Sequence, residues 1–146
     1  MKFASLVVVA LLGLSACATT SVTPIGDQSF LLDVSADAEC GSTGAASVAT
    51  RMAAVETLRQ GYDRYMVDGI SSSDNTLLLP TFDIDRLAGE TNSVSLGFDR
   101  YGSFDRTLTV RMLRPGNPGY TGAIDARAAL GPNWERLVQR GISTCA

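Results

Sequence analysis

Residues 29–36 read Ser-Phe-Leu-Leu-Asp-Val-Ser-Ala, residues 45–60 read Ala-Ala-Ser-Val-Ala-Thr-Arg-Met-Ala-Ala-Val-Glu-Thr-Leu-Arg-Gln, and residues 61–70 read Gly-Tyr-Asp-Arg-Tyr-Met-Val-Asp-Gly-Ile. This stretch decides the fold. In the first run Phe30, Leu32 and Val34 alternate with Leu31, Asp33 and Ser35, the two-residue period of a half-buried strand. In the second run Val48, Met52, Val55 and Arg59 recur along one stripe, with Ala54 and Leu58 beside it, which is a helical period. Cys40-Gly41-Ser42-Thr43-Gly44 precedes it as a turn with a hydroxyl available for the N-cap. Gly61 stands where a left-handed C-terminal cap is wanted, and residues 62–70 predict a second strand. Strand, helix and strand together form a β-α-β unit whose two strands run parallel.

Downstream of this unit, Ser71-Ser72-Ser73-Asp74-Asn75 is a polar loop. Leu77-Leu78-Leu79 predicts a short strand that Pro80 confines to an edge or ends. Residues 83–90 read as a linker or a short helical turn. Val94, Leu96 and Phe98 then alternate with Ser93, Ser95 and Gly97, and Leu108, Val110 and Met112 alternate with Thr107, Thr109 and Arg111. Between these runs, Asp99-Arg100-Tyr101-Gly102-Ser103 predicts a hairpin loop with a glycine for the bend. Residues 114–122 form a loop rich in Pro and Gly. Residues 123–130 predict a short helix stopped by Gly131-Pro132, and Asn133 caps a last helix carrying Trp134, Leu137 and Val138 up to Gly141. The expected fold class is α+β: a two-layer domain with a small mixed β-sheet (the β-α-β unit plus an antiparallel hairpin) and helices packed on one face.

Upstream, Met1-Lys2 opens the chain with a positive charge, and residues 3–14 are apolar apart from Ser5 and Gly13. This run falls short of the ~20 apolar residues a spanning helix needs and has the form of a secretory signal. Its end, Leu14-Ser15-Ala16-Cys17, resembles the lipobox of bacterial lipoproteins. That resemblance implies diacylglycerol on the Cys17 sulfur, cleavage before Cys17, and acylation of the freed amine by a chain such as palmitate. It also implies a domain held outside the inner membrane. Ala18 is not the aspartate that retains such proteins at the inner membrane, so the resemblance favours delivery to an outer membrane where the organism has one, with the cell membrane as the other expected site and the domain in the periplasm or at the cell surface. The expected organisation is a cleaved signal over residues 1–16, a lipidated cysteine and flexible tether over 17–28, and a single domain over 29–146.

Residues 30–70, with the helix closing on Gly61-Tyr62-Asp63-Arg64-Tyr65, resemble a group of small proteobacterial lipoproteins of unassigned function. The resemblance bears on the fold and the address, and carries over no active site.

Composition narrows the function classes. Residues 17–146 hold eleven arginines, no lysine and fifteen acids, a net charge of −4. The arginines are scattered singly, which argues against nucleic acid as a partner and against adsorption to anionic lipid by charge alone. With Cys17 assigned to lipid, Cys40 and Cys145 remain as a pair, and export makes a disulfide between them the expected state.

Chemistry is hard to place. The chain has no histidine, which excludes Ser-His-Asp and Cys-His catalysis and histidine metal sites. Residues 17–146 hold no lysine for a Ser-Lys pair, no G-x-S-x-G elbow and no P-loop. Asp83-x-Asp85 would face one way on a strand, but glycosidase carboxylates stand across a cleft, so a solvated acidic stretch is the expected reading. Asp74-Asn75 lacks the spacing of a calcium loop and reads as a surface turn. Most aromatics of a domain this small are core; Tyr101 and Tyr120, in Gly-rich loops, are candidate contacts along with Arg100. The expected role is therefore a non-enzymatic, lipid-anchored envelope module without cofactor or metal, which contacts a membrane through its lipid and an envelope protein or peptidoglycan through its surface. The alternative is an inhibitor or binder of wall-degrading enzymes such as lysozyme, acting through residues 99–103.

Overall fold

The structure, a computed structural model, describes residues 17–85 and 93–145. The described residues open on a hairpin, β1 (Ala18–Gly26) and β2 (Ser29–Asp37). A 3-10 turn (Ala38–Cys40) leads into α1 (Gly41–Arg59), and β3 (Arg64–Asp74) follows. After it come β4 (Leu77–Asp85), β5 (Ser93–Tyr101) and β6 (Ser103–Leu113). A Pro- and Gly-rich loop leads to β7 (Ile124–Asp125), α2 (Ala126–Leu130) and α3 (Trp134–Arg140). The main sheet has the order β1-β2-β6-β3-β7, and β4 and β5 form a second, two-stranded sheet.

This is the two-layer α+β domain that the alternating runs predict. The β-α-β unit is split, however: β6 lies between β2 and β3 and is antiparallel to both. β2 and β3 keep a common direction without touching, so every pairing among the described residues is antiparallel, where the sequence suggested a mixed sheet. The insertion has a physical basis. β6 carries Phe104, Leu108, Val110 and Met112 on one face, all buried, and it needs apolar neighbours on both sides to keep them dry. Phe30 and Leu32 of β2 supply one flank, opposite Val110 and Leu108; Tyr65 of β3 supplies the other, opposite Met112.

Helix α1 covers this face with Ala45, Val48, Ala49, Met52, Ala53 and Val55. The alanines let it approach the sheet closely. It starts at Gly41, four residues before its predicted start at Ala45, with Cys40 at the N-cap and no side-chain cap bond. Its other end matches expectation: Gly61 has φ +81°, and the Tyr62 amide donates to the Thr57 carbonyl, a Schellman closure. Asp125 caps α2 by accepting from the Ala128 amide. Asn133 stands at the N-cap of α3, but its side chain accepts from Arg136 rather than from a backbone amide.

The segment expected to be a flexible tether is strand β1 over most of its length. Thr19, Thr20, Val22 and Thr23 are β-branched, and β-branched residues fit a pleated surface; Ala18 to Pro24 pair with Ala36 to Phe30 without a break. Cys17 lies in the fold as well. It bridges to Thr144, its amide donates to the Asp37 carboxylate at 3.0 Å, and its carbonyl accepts from the Asp37 amide. The described fold therefore includes Cys17 and β1, ahead of residue 29.

Cys40 and Cys145 form a disulfide with a Cα–Cα separation of 5.6 Å, which ties the chain's last residues to the start of α1. Replacing both cysteines by alanine should lower the unfolding free energy by about 3–5 kcal/mol, the range for opening a loop of ~100 residues. Urea titrations of the two proteins read this directly; an unchanged midpoint would mean that the bond adds no stability.

Tyr65 is fully buried, and its hydroxyl donates to the Thr50 carbonyl at 3.1 Å. Burial pushes its phenol up from 10.0 to about 12. The folded protein keeps a proton that the unfolded chain releases near pH 10, so this contribution is complete below pH 10 and is lost as the pH rises towards 12. Tyr65→Phe should therefore flatten the fall in melting temperature across that window, and a fall of the same steepness would reject Tyr65 as its cause.

Candidate functional site: a two-stranded arm and its root

β3 and β6 pair in register from Gly69↔Thr109 to Asp74↔Phe104, and β4 and β5 carry the same register on from Leu77↔Tyr101 to Asp85↔Ser93. The four strands are thus one long antiparallel ribbon, bent once where it leaves the sheet. Beyond the bend it extends for nine residue pairs, on the order of 30 Å.

The bend is fixed by the residues at its level. The Asn75 amide donates to the Ser103 carbonyl and the Ala38 amide to the Gly102 carbonyl. Asp74 accepts from the Thr76 amide at 3.0 Å and also from its hydroxyl. These bonds, the Thr76 hydroxyl first, hold the Asp74 carboxyl below its ordinary range. Asp105 takes the Ser35 hydroxyl and the Asn75 side-chain amide, which lower its pKa likewise, the serine most. Gly102 has φ +109°, and a Cβ there would lie 2.2 Å from the Asn75 carbonyl oxygen.

This corrects the predicted hairpin over residues 99–103. The chain runs through Gly102 without reversing: Val94 to Phe98 pair with β4, while Thr107 to Met112 pair with β2 and β3. Leu77-Leu78-Leu79 does not end at Pro80, because in a two-stranded sheet each strand is an edge and tolerates proline. Asp83 and Asp85 belong to β4 rather than to a linker; residues 86–90 lie outside the described residues. The signal for the ribbon is in the sequence. Val94, Leu96, Phe98, Phe104, Leu108, Val110 and Met112 hold one even-numbered register across Gly102.

That register sorts the side chains of the arm onto two faces, with three exposed large hydrophobics on each among the described residues. Even-numbered positions of β2 and β6 face α1 within the sheet, β3 joins this parity after its bulge between Val67 and Gly69, and the same parity continues onto the arm, beyond the helix layer. Leu78, Pro80, Leu96 and Phe98 share this face, with Leu78, Leu96 and Phe98 respectively 56, 66 and 68 % exposed. The register goes on to pair Phe82 with Leu96 and Ile84 with Val94. The opposite face carries, from the root outward, the pairs Leu77 with Tyr101, Leu79 with Asp99 and Thr81 with Gly97. Of nine large exposed hydrophobics among the described residues, six are on this arm. Single exposed apolar residues are ordinary, but a contiguous patch marks a contact surface.

At the root, an open cleft of about 520 Å³ lies between the start of α1 (Gly41, Ser42, Thr43), Ser72 and Asp74 of β3, and Arg100, Phe104 and Arg106. Its arginines are engaged: Arg106 donates to the Ser42 carbonyl at 3.2 Å, and Arg100 reaches the Thr76 hydroxyl and lies 6.0 Å from the Phe104 ring.

The three predicted contact residues are not brought together. Arg100 and Tyr101 sit at the arm root, with Tyr101 51 % exposed. Tyr120 lies at the other end of the sheet, where its hydroxyl donates to Asp63 and the Arg64 guanidinium stacks 4.8 Å from its ring. The Asp63 carboxylate holds the Tyr120 phenol above its ordinary pKa. Tyr120 is thus a bracket for the loop over residues 114–122. Among the described residues no group of three or more metal-ligating acids or cysteines converges, and no helix is long and apolar enough to cross a membrane.

No protein-family model matches the chain, and neither a curated protein nor a solved structure matches it. The functional reading therefore rests on the geometry of the molecule itself.

Gly102→Ala should destabilise the arm root by at least ~1–3 kcal/mol, from the left-handed backbone and the close Asn75 carbonyl. Thermal melts and limited proteolysis at the arm test this; wild-type stability and cleavage would show that the bend does not need glycine.

Proposed function

We propose that the protein is a lipid-anchored component of a bacterial cell envelope that acts by contact rather than by catalysis, with the arm as its contact element. The observation that carries this reading is the arm's exposed apolar face. A two-stranded ribbon whose Leu78, Leu96 and Phe98 meet solvent is costly to maintain in isolation, and large exposed patches mark interaction surfaces. The anchor rests on Leu14-Ser15-Ala16-Cys17 and is supported by the position of Cys17, exposed at the very start of β1. The Cys40–Cys145 disulfide suits an oxidising compartment. An inhibitor of wall-degrading enzymes acting through residues 99–103 has less support, because that stretch crosses the arm root and does not project as a loop.

Intact mass of the protein isolated from its native membranes tests the anchor. The expected mass is that of residues 17–146 plus two or three acyl chains, enough for stable anchoring at ~0.8 kcal/mol per buried CH₂. Cys17→Ser should leave an unprocessed chain without lipid. A native mass that starts elsewhere, or lacks acyl chains, would sink the anchored reading.

A further inference from the structure

The partner of the arm follows from where the anchor sits. Cys17 is not spaced from the domain by a tether. Its carbonyl accepts from the Asp37 amide, Asp37 pairs with Ser103, and the Ala38 amide donates to the Gly102 carbonyl. Two strand spacings, about 10 Å, therefore separate Cys17 from the bend where the arm leaves the sheet. The sixteen residues before Cys17, apolar from Phe3 to Leu14 but for Ser5 and Gly13, join the domain at this same point. Whatever enters a bilayer at Cys17 brings the root of the arm to the bilayer surface with it.

We propose that the apolar face of the arm lies in the outer few ångströms of the lipid bilayer beside the Cys17 anchor, so that the protein holds its membrane at two points. This rests on the anchored reading above. The chemistry of the two faces fits such a placement. The even-numbered face offers Leu78, Pro80, Leu96 and Phe98 to the acyl boundary, with Arg100 at its root, level with the headgroup phosphates. The other face carries Asp99, Thr81 and Gly97 along its length and Leu79, Leu77 and Tyr101 towards the root, so it is apolar only where the arm leaves the sheet. Interfacial elements with an apolar face bury ~5–10 Å into the boundary between headgroups and chains. Because the domain carries more acids than arginines, attachment comes from apolar burial and the anchor, with no general attraction to anionic lipid.

The chain's single tryptophan, Trp134, sits on α3, whose Val138 carbonyl meets Arg59 at the far end of α1, away from the arm. It serves as an internal reference. Full-length lipidated protein and its Phe98→Trp variant, each reconstituted into phosphatidylcholine vesicles with or without brominated acyl chains, report on the arm, while flotation of the same vesicles reports on the anchor. The expected result is flotation of both proteins, no quenching of the wild type, and a roughly two-fold loss of the emission added by Phe98→Trp, as for an indole at the acyl boundary. Flotation with no quenching of the added emission overturns the arm proposal and leaves the anchor standing. In that case a blue-shifted emission assigns the arm to a second copy of the chain, and a red-shifted one leaves it in water. Failure to float removes the anchor, and the arm proposal falls with it.

Discussion

Strands β3 and β6 share a register that outruns the sheet to which they belong. Within the sheet this pairing fixes β6 beside β2 and places Phe104, Leu108, Val110 and Met112 under α1. Beyond Asp74 and Phe104 the same hydrogen-bonding order continues as β4 and β5, where the helix layer has ended. One alternation thus produces two environments. Under α1 an even-numbered apolar residue is buried and adds ~1.5–3 kcal/mol to stability; past the bend the same parity puts Leu96 and Phe98 into solvent. The arm is the core face of the sheet continued without its helix.

The ends of the domain gather at this boundary. Cys40 opens α1, Cys145 is bonded to it, Thr144 bridges to Cys17, and the Ala18 amide donates to the Ser143 carbonyl. The disulfide thus reaches beyond its own loop. It holds the last residues against the first turn of α1, and those residues in turn cover the beginning of the β1 edge. Gly44 shows how close this packing is: a Cβ there would stand 3.2 Å from the Cβ atoms of both Cys40 and Cys145. The glycine inside the helix makes room for the bond and for the approach of the chain's end.

What the sequence disclosed and what it concealed separate along a physical line. Features set by local chemistry were legible: the alternation of Phe30, Leu32 and Val34, the helix closing on Gly61, and the cysteine pair. Features set by which strand meets which were not. The runs at 94–98 and 107–112 look like the two arms of a hairpin around Gly102, because glycine suits both a reversal and a bend. Only the partner strand, Leu77 onward, decides between them, and Pro80 disguised it. β1 was hidden for the opposite reason. Thr-Thr-Ser-Val-Thr-Pro has the composition of a linker, and its strand state comes from pairing with β2. At the site, Arg100 and Tyr101 stood out as candidate contacts from their polar, Gly-containing surroundings, whereas the exposed face they border did not, since its residues look like core. The bonds of Tyr120 could not be read because its partners, Asp63 and Arg64, lie 57 and 56 residues away in the sequence.

A two-stranded ribbon with an apolar face is a hazard in water. Both of its edges present unpaired backbone groups, and such edges template association with other strands. Two features of this arm blunt the edges, the missing amide of Pro80 in β4 and the Asp99 carboxylate in β5, but neither covers Leu78, Leu96 or Phe98. A contiguous exposed apolar patch of this kind marks a surface that something else covers in use. In the proposed arrangement the bilayer is that cover, and the absence of a tether makes it accessible. A flexible linker would let the domain, and the arm with it, drift tens of ångströms from the lipid surface; a strand that begins at the anchored residue keeps the arm within reach of the bilayer. The residues that look like a spacer in the sequence are for the most part strand β1, and in the proposed arrangement they would set the height and tilt of the arm.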